Sequence, residues 1–184
     1  MAEIPFPSPT LADDVVLLRP WRETDVRAML DAFGDPVFQY FSDWAPRTET
    51  DAHSHLMKHE RARKRGEQVE FALVEPRKHA VVLGGGSLNN VDLEQGRAAV
   101  GYWLAPQARG RGVATHAVRL IAPWALHHLG VARLELTCGP DNSASTRVAD
   151  RCGFTCEGVL RSYVPFKGGR RDSVVFSLLP GELR

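Results

Sequence analysis

Apolar and polar positions along the chain follow helical spacing in some segments and the short, β-branched runs of strands in others. Residues 15–18 form such a run and predict a strand. Between Gly112 and Leu129 apolar residues recur at helical spacing. Pro123 lies inside that pattern, where proline kinks a helix or removes one of its hydrogen bonds.

Further helices are predicted from Thr24 to about Ala32, from Thr48 to about Gly66, and over 142–151. The remaining strands are predicted at about 68–75, 80–90, 97–104, 133–138, 154–161 and 171–179. This order is neither a doubly wound repeat nor a sandwich. It predicts an α/β (α+β) fold, with a mixed sheet and helices on its faces.

Composition indicates a single globular domain. The chain has 184 residues, 43% hydrophobic and 24% charged, which is ordinary for a soluble domain. Residues 1–12 are rich in proline and predict an extended lead-in, followed by one domain over 13–180. Lys and Arg number 23 against 22 Asp and Glu. Without a basic excess, we expect neither nucleic acid nor a membrane surface as partner.

Cysteine usage and the apolar segments favour a cytoplasmic location. Cys138, Cys152 and Cys156 are an odd number of cysteines, which fits reduced thiols better than a disulfide framework. The first residues lack the basic and apolar segments of a signal peptide. No run of 18 apolar residues occurs that would predict a membrane span.

The strongest chemical signal lies at 107–115, between a predicted strand and an apolar helix. Glycines at 110 and 112 let the backbone turn tightly and approach a ligand. The following helix N-terminus presents unpaired N–H groups and a partial positive charge, beside Arg109 and Arg111. The segment predicts a pyrophosphate site, unless its glycines serve only the turn. It is neither a P-loop nor a Rossmann fingerprint, since Thr115 stands where the third glycine of the latter belongs.

Two motifs in and near this segment resemble those of a known family. Gln107-x-x-Gly110-x-Gly112, after Gly101-Tyr102-Trp103-Leu104, resembles the acetyl-coenzyme A loop of the GNAT N-acetyltransferase superfamily. Asn142-x-x-Ser145, followed by Cys152-Gly153-Phe154 and Glu157-Gly158, is similar to the C-terminal motif of that superfamily.

Three further motifs point to the RimJ/RimL-like branch, which ribosomal-protein N-terminal acetyltransferases typify. They are Leu18-Arg19-Pro20-Trp21, Thr24-Asp25 and Gly169-x-x-Asp172. The resemblance covers about 13–179, and its motifs occur in the family's order. It implies a GNAT-like acyl-CoA N-acyltransferase fold, in which two central strands splay apart.

The resemblance also implies where acetyl-coenzyme A binds. The strand ending at Trp103, Leu104 and Ala105 would pair with the pantetheine arm as with an added strand, and the diphosphate would lie on the amides of 109–114. The implied cofactor-binding residues are Trp103, Leu104, Ala105, Gln107, Arg109, Gly110, Arg111, Gly112, Val113, Ala114, Thr115, Asn142 and Ser145.

The implied reaction is direct transfer of acetyl to a primary amine in a ternary complex, without a metal. Asn142 and Ser145 are the implied catalytic residues, with Ser145 protonating the departing thiolate and Asn142 near the pantetheine. Asn142 equally suits the N-cap of the helix, and it can serve both purposes. A backbone N–H near Leu104 would stabilise the oxyanion.

The general base is not marked in the sequence. Members of the family often carry an acidic residue two positions before the Gly-Tyr pair, where this chain has Ala99. Glu70, Glu94 and Glu135 lie on or near neighbouring strands, but no motif distinguishes them. A bound water could relay the proton instead.

Other side chains have more than one interpretation. His55 and His59 are four residues apart in a helix rich in Lys and Arg. They predict a solvated face rather than zinc ligands, because no third ligand is evident. Aromatic residues either roof an acceptor pocket or belong to the core; these are Phe38, Tyr40, Phe41 and Trp44 and, in the loop between the last two strands, Tyr163 and Phe166.

Acetyl transfer to the N-terminal α-amino group of a protein or peptide is therefore the leading functional hypothesis. A small-molecule amine, such as an aminoglycoside or polyamine, is an alternative acceptor. A non-catalytic acyl-coenzyme A sensor is a second alternative, kept open by Ala99. The sequence leaves the acceptor, the length of the acyl group and the oligomeric state open, a homodimer included.

Overall fold

A computed structural model describes residues 2–43 and 46–184. The helices are α1 (Val26–Phe33), α2 (Pro36–Phe41), α3 (Glu49–Lys64), α4 (Val113–Pro123) and α5 (Ser143–Cys152). The strands are β1 (Leu17–Arg19), β2 (Val69–Glu75), β3 (Lys78–Asp92), β4 (Arg97–Leu104), β5 (Arg133–Cys138), β6 (Thr155–Phe166) and β7 (Gly169–Leu178). The predicted mixed α/β class is confirmed.

The seven strands form one sheet in the order β1-β2-β3-β4-β5-β7-β6. All neighbours are antiparallel except β4 and β5, which are parallel and pair only through Arg97–Ala99 and Arg133–Glu135. Beyond Ala99, β4 remains paired with β3 as far as Leu104. Likewise β5 remains paired with β7 as far as Cys138. The two central strands therefore diverge, as the resemblance implies, and leave a cleft between them.

Helices cover both faces of the sheet. Phe71 and Leu73 of β2 belong to the main core cluster, together with Ile121 of α4. The alternate residues Ala72 and Val74 pack instead with Ala28 of α1. Because successive side chains of a strand point to opposite faces, α4 lies on one face of the sheet and α1 on the other.

Helix α4 ends in a disturbed turn at Pro123, as the sequence predicts. The next five residues, Trp124–His128, form a π-helix, and Leu129 N–H donates to the Trp124 carbonyl at 3.2 Å. Proline supplies no N–H for the α-helical ladder, and a wider turn follows it.

The predicted N-cap Thr24 lies instead within a short 3-10 turn, Glu23–Asp25, that precedes α1. The buried Asp25 carboxylate causes this, because it accepts a hydrogen bond from Arg22 N–H at 2.8 Å. Asp25 also holds the buried Arg19 guanidinium in two hydrogen bonds of 2.7 and 2.9 Å. Residues of the Leu18–Trp21 and Thr24-Asp25 motifs thus form a structural ion pair.

The structure adds to the prediction for one chain segment and corrects the prediction for another. The lead-in has no helix or strand over 2–11, but Ile4 is buried in the main core and Phe6 contacts the Phe71 ring edge-on. Tyr163 and Phe166 lie on β6 and not in a loop, because the hairpin turns only at Lys167 and Gly168. Within the described residues, no helix combines the length and hydrophobicity that a membrane span needs.

Candidate active site

A cavity of about 630 Å³ opens where β4 and β5 diverge. Its walls include 100–104 of β4 and 136–138 of β5. These two strand segments do not pair with each other. The structure brings most of the predicted site residues to this cavity, namely Trp103, Leu104, Arg109, Gly110, Gly112, Val113, Ala114, Thr115, Asn142 and Ser145.

Three predicted site residues do not line the cavity. Ala105 is buried, and its N–H donates to the Leu83 carbonyl at 2.9 Å, so it continues the pairing with β3. Gln107 is exposed in a 3-10 turn. Arg111 is directed to the Glu75 carboxylate, 3.3 Å away. The motif therefore contains residues that shape the loop as well as residues that face the cleft.

The glycine loop ends at an uncapped helix N-terminus. Gly110 and Gly112 have φ of +74° and +80°, a left-handed conformation that favours glycine. Gly112 occupies the N-cap position of α4, and among the described residues no side chain makes a capping hydrogen bond there. Such groups, together with the helix dipole, attract an anion such as a diphosphate.

Arg109 connects this loop to α2. Its guanidinium donates to the Asp35 carboxylate at 2.5 Å and to the Leu104 carbonyl at 3.3 Å. The hydrogen bond from Arg109 lowers the pKa of Asp35 below its ordinary value. Asp35 is also the N-cap of α2, accepting from Phe38 N–H at 3.0 Å. The positive charge of Arg109, which the sequence analysis assigned to the loop, is thus offset by the Asp35 carboxylate at the start of α2.

Asn142 caps α5 and thereby orients Ser145. The Asn142 Oδ1 atom accepts from Ser145 N–H at 3.1 Å, which confirms the N-cap interpretation. Ser145 is half-buried at the cleft. A catalytic or cofactor-binding role for Asn142 and Ser145 remains a prediction.

Tyr102 lies beside Ser145 and was not singled out as a site residue by the sequence. Its Oη is buried and finds no well-aligned partner among the described residues, the Ser145 hydroxyl being its polar neighbour. Burial raises the pKa of Tyr102 to about 12, and the Ser145 hydroxyl offsets only part of that effect. The phenol is therefore protonated at neutral pH. The signal was available in Gly101-Tyr102-Trp103-Leu104, because alternate residues of a cleft strand face one side.

Aromatic side chains of α2 close the other side of the cavity. Phe38 lines it while stacking on Phe33 at 4.4 Å and meeting the Trp103 ring edge-on at 6.0 Å. Phe38 is thus both roof and core, and Phe41 also lines the cavity. Tyr40 is exposed, and Trp44 lies outside the described residues.

The end of the β6–β7 hairpin meets this roof. The Arg171 guanidinium lies 5.7 Å from the Phe41 ring centre and 4.6 Å from that of Phe166, and it is ion-paired with Asp141. The Tyr40 hydroxyl donates to the same Asp141 carboxylate at 2.9 Å. Phe166 therefore supports the roof through Arg171, whereas Tyr163 is exposed and is not part of the cavity wall.

The acidic residues considered as bases do not reach the cleft. Glu94 is exposed, and Glu135 accepts from Arg133 at 2.7 Å. Glu70 contacts His55 and His59 of α3. Among the described residues that line the cavity, none is Asp, Glu or His. The cleft thus offers no carboxylate or imidazole of its own to take a proton from an amine.

The expectation of a solvated face at His55 and His59 is wrong. Their side chains are only 12% and 19% exposed, because this side of α3 packs on β2. Arg63, two turns beyond His55, is also buried and donates to the Ile4 carbonyl at 2.7 Å. Burial raises the pKa of Glu70, but hydrogen bonds from His55 and His59 more than compensate and leave that pKa at about 2.

Comparisons with known proteins agree with this geometry. Residues 16–155 match the acetyltransferase (GNAT) domain family. An uncharacterised N-acetyltransferase of Bacillus licheniformis is 28% identical over 174 residues, 94% of this chain and 97% of that protein. The ribosomal-protein-serine acetyltransferase of Escherichia coli (strain K12) is 31% identical over 84 residues, 44% of this chain and 45% of that protein.

A solved structure has the same architecture. The structure of Mycobacterium smegmatis RimJ in complex with CoA-disulfide superposes with a TM-score of 0.81. It is 25% identical in sequence, over 91% of this chain and 83% of that one.

Proposed function

This chain belongs to the acetyltransferase (GNAT) domain family, in its RimJ/RimL-like branch, and from that premise we propose that it acetylates the α-amino group of a protein or peptide N-terminus with acetyl-coenzyme A. The observation that carries the proposal is the cleft between β4 and β5, which meets the uncapped N-terminus of α4. A strand-like arm ending in a diphosphate fits that combination. Binding of CoA-disulfide by the RimJ relative supports the choice of co-substrate.

Different parts of the cleft would bind the two ends of acetyl-coenzyme A. The amides of Val113–Thr115 would hold the diphosphate, and the open edges of β4 and β5 would hold the pantetheine arm. When bound, acetyl-coenzyme A supplies an activated acetyl group as a thioester. An edge N–H near Leu104 is suited to stabilise the oxyanion of the tetrahedral intermediate.

Ser145 and Tyr102 are the groups suited to protonate the thiolate. In the transfer a C–N bond forms and the C–S bond breaks, so one proton leaves the amine nitrogen and one reaches the sulfur. Ser145 lies at the cleft, and Tyr102 beside it stays protonated because burial raises its pKa to about 12. A thiol of pKa ~8.5 is a modest leaving group, so this assistance is small.

The described lining residues include no carboxylate or imidazole, and this favours an α-amine as acceptor. An α-amino group has a pKa of ~7.7–8.0, against ~10.4 for a lysine side chain. A substantial fraction of α-amines is therefore already neutral near pH 7.5, and water can take the proton of the remainder. Lysines and polyamines would need a strong base, which the described lining residues do not provide.

Thiol release from acetyl-coenzyme A tests the proposal. The panel contains peptides with free N-termini, the same peptides with blocked N-termini and an internal lysine, polyamines, and aminoglycosides. We expect turnover only with free N-termini. Faster turnover of polyamines or aminoglycosides would establish the small-molecule alternative. Tight binding of acetyl-coenzyme A without turnover of any amine would establish the sensor.

A further inference from the structure

Two histidines of α3 and one glutamate of β2 converge outside the acetyl-transfer cleft. His59 Nδ1 lies 2.9 Å from Glu70 Oε1, and His55 Nε2 lies 3.5 Å from Glu70 Oε2. The two imidazole rings are 3.9 Å apart between centres. One carboxylate thus has an imidazole nitrogen beside each of its oxygens.

The fold positions this cluster from both sides. His55 and His59 are one helical turn apart and therefore share a face of α3, which lies against β2. Glu70 is fixed in the paired part of β2, opposite Ser87 of β3. All three side chains are less than one-fifth exposed. Their arrangement is consequently set by packing and not by chance contacts of mobile surface groups.

We propose that His55, His59 and Glu70 bind a divalent transition-metal ion such as Zn²⁺. Two imidazoles and one carboxylate are a ligand set that zinc accepts, with the fourth position left to water. Metal–ligand distances of ~2.0–2.1 Å in a tetrahedron separate neighbouring ligand atoms by about 3.4 Å. The nitrogen–oxygen distances of 2.9 and 3.5 Å are close to that value, and all three ligand atoms lie within 4.8 Å of one another.

Water and charge around the cluster are compatible with a bound cation. His59 and Glu70 line a cavity of about 260 Å³, which gives solvent access to the cluster. Glu60 and Arg63 also line this cavity. The positive charge of Arg63 is compensated by ion pairs with Glu60 and Glu3 at 2.7 Å each. The Gln68 side-chain amide nitrogen contacts the same His59 nitrogen, so this amide would turn away when a metal ion binds there.

The metal site is independent of the acetyl-transfer chemistry. Trp21 lines the metal-side cavity and Trp103 lines the cleft, and their rings stack at 5.9 Å between the two spaces. Because α3 and β2 are joined through the ion, metal binding should stabilise the fold. It should not supply a group that reacts with the amine.

Zinc binding to the full chain tests the site. The protein is treated with chelator, exchanged into metal-free buffer and titrated with Zn²⁺ against a chromogenic competitor. The measurement is repeated for His55→Ala, His59→Ala and the isosteric Glu70→Gln. Two variants serve as matched controls: His128→Ala removes an exposed imidazole elsewhere, and Cys156→Ser removes the exposed thiol. Circular dichroism establishes that each variant is folded.

We expect one Zn²⁺ per chain in the wild type and both controls. Substituting a residue that only supports a metal ligand lowers metal affinity ~10–100-fold. Each variant of a proposed ligand should lower the affinity for Zn²⁺ by more than that. Zn²⁺ should raise the melting temperature of the wild type but not of Glu70→Gln. Bound Co²⁺ should give the intense visible absorption of a four-coordinate site. No stoichiometric binding by the wild type, or equal binding by Glu70→Gln, would overturn the proposal and leave a hydrogen-bonded polar cluster.

Discussion

At the scale of single residues, Tyr102 and Ser145 form a hydroxyl pair that the cleft partly encloses. Ser145→Ala should lower kcat by about 100-fold, the low end of the range for a general acid, because a thiolate needs little help. The affinity for acetyl-coenzyme A should change much less. Steady-state kinetics measure kcat and KM, and calorimetric titration measures the affinity, with Ser143→Ala, on the same helix, as control. A rise in KM at unchanged kcat would instead make Ser145 a binding group.

The companion variant Tyr102→Phe shows whether the two hydroxyls act together. Its stability should equal or exceed that of the wild type, because the substitution removes a buried hydroxyl without a well-aligned partner. If the pair acts as one donor, adding Tyr102→Phe to Ser145→Ala should lower kcat little further. Multiplied losses in the double variant would show two separate roles.

The glycine loop provides a prediction with a closely matched control. Gly110 and Gly130 share φ of +74°, and a Cβ added at either would meet no atom within 4 Å. Alanine at each position therefore costs a similar ~1 kcal/mol of strain. Only Gly110→Ala should weaken acetyl-coenzyme A binding, because its backbone lies at the cleft. Calorimetric titration and urea unfolding separate the two effects. Equal affinities in both variants would remove the loop from the diphosphate site.

At the scale of elements, α2 is a short helix tied to both ends of the cleft. Its N-cap Asp35 holds Arg109 of the glycine loop, and its Tyr40 reaches Asp141 before α5. At the hairpin, Lys167 Nζ donates to the Gln39 carbonyl at 2.8 Å. A six-residue helix has little stability of its own, so these contacts fix the aromatic roof above the site.

Asp35→Asn tests the coupling between α2 and the loop. Asparagine preserves the N-cap but no longer neutralises Arg109, so the loop gains net positive charge. Acetyl-coenzyme A should bind about two- to fivefold more tightly, a change in affinity that corresponds to the free energy of a partly exposed ion pair. This gain in affinity should be smaller at high salt. Asp31→Asn makes the same charge change at an exposed site and is the control. Weaker binding by Asp35→Asn would mean that the Arg109–Asp35 pair itself shapes the site.

At the scale of the whole molecule, ligand binding should appear as stabilisation. A ligand at 100 times its Kd that binds only the native state adds ~2.7 kcal/mol. For a domain of this size that corresponds to a rise of about 5–10 °C in Tm. Acetyl-coenzyme A should produce this rise, whereas acetyl-pantetheine, which lacks the diphosphate, should produce a smaller one at the same molar concentration. Identical rises with both compounds would show that the uncapped end of α4 contributes no binding energy.

Local regularities of the sequence were sufficient to predict much of the fold. The spacing of apolar residues in α4, the Thr48 cap of α3 and the disturbance after Pro123 depend on neighbours a few positions apart. The glycine loop and Asn142 are local in the same sense, since φ values and caps are set within one turn. These features predicted the fold class, whereas the family resemblance of the motifs implied most of the cleft residues.

Contacts between distant segments were decided only by the tertiary structure. No local pattern indicates that Arg109 meets Asp35, that Tyr102 lies beside Ser145, or that Glu70 reaches α3. His55 and His59 show the reason most clearly. Their polar helix has almost no amphipathic pattern, yet packing on β2 buries that face and brings the partner carboxylate from a separate strand. The sequence by itself determined most of the local backbone conformations, such as the left-handed glycines, the helix caps and the break at Pro123. Which side chains share a site depended on how the helices pack on the sheet, because that packing joins residues far apart in the chain.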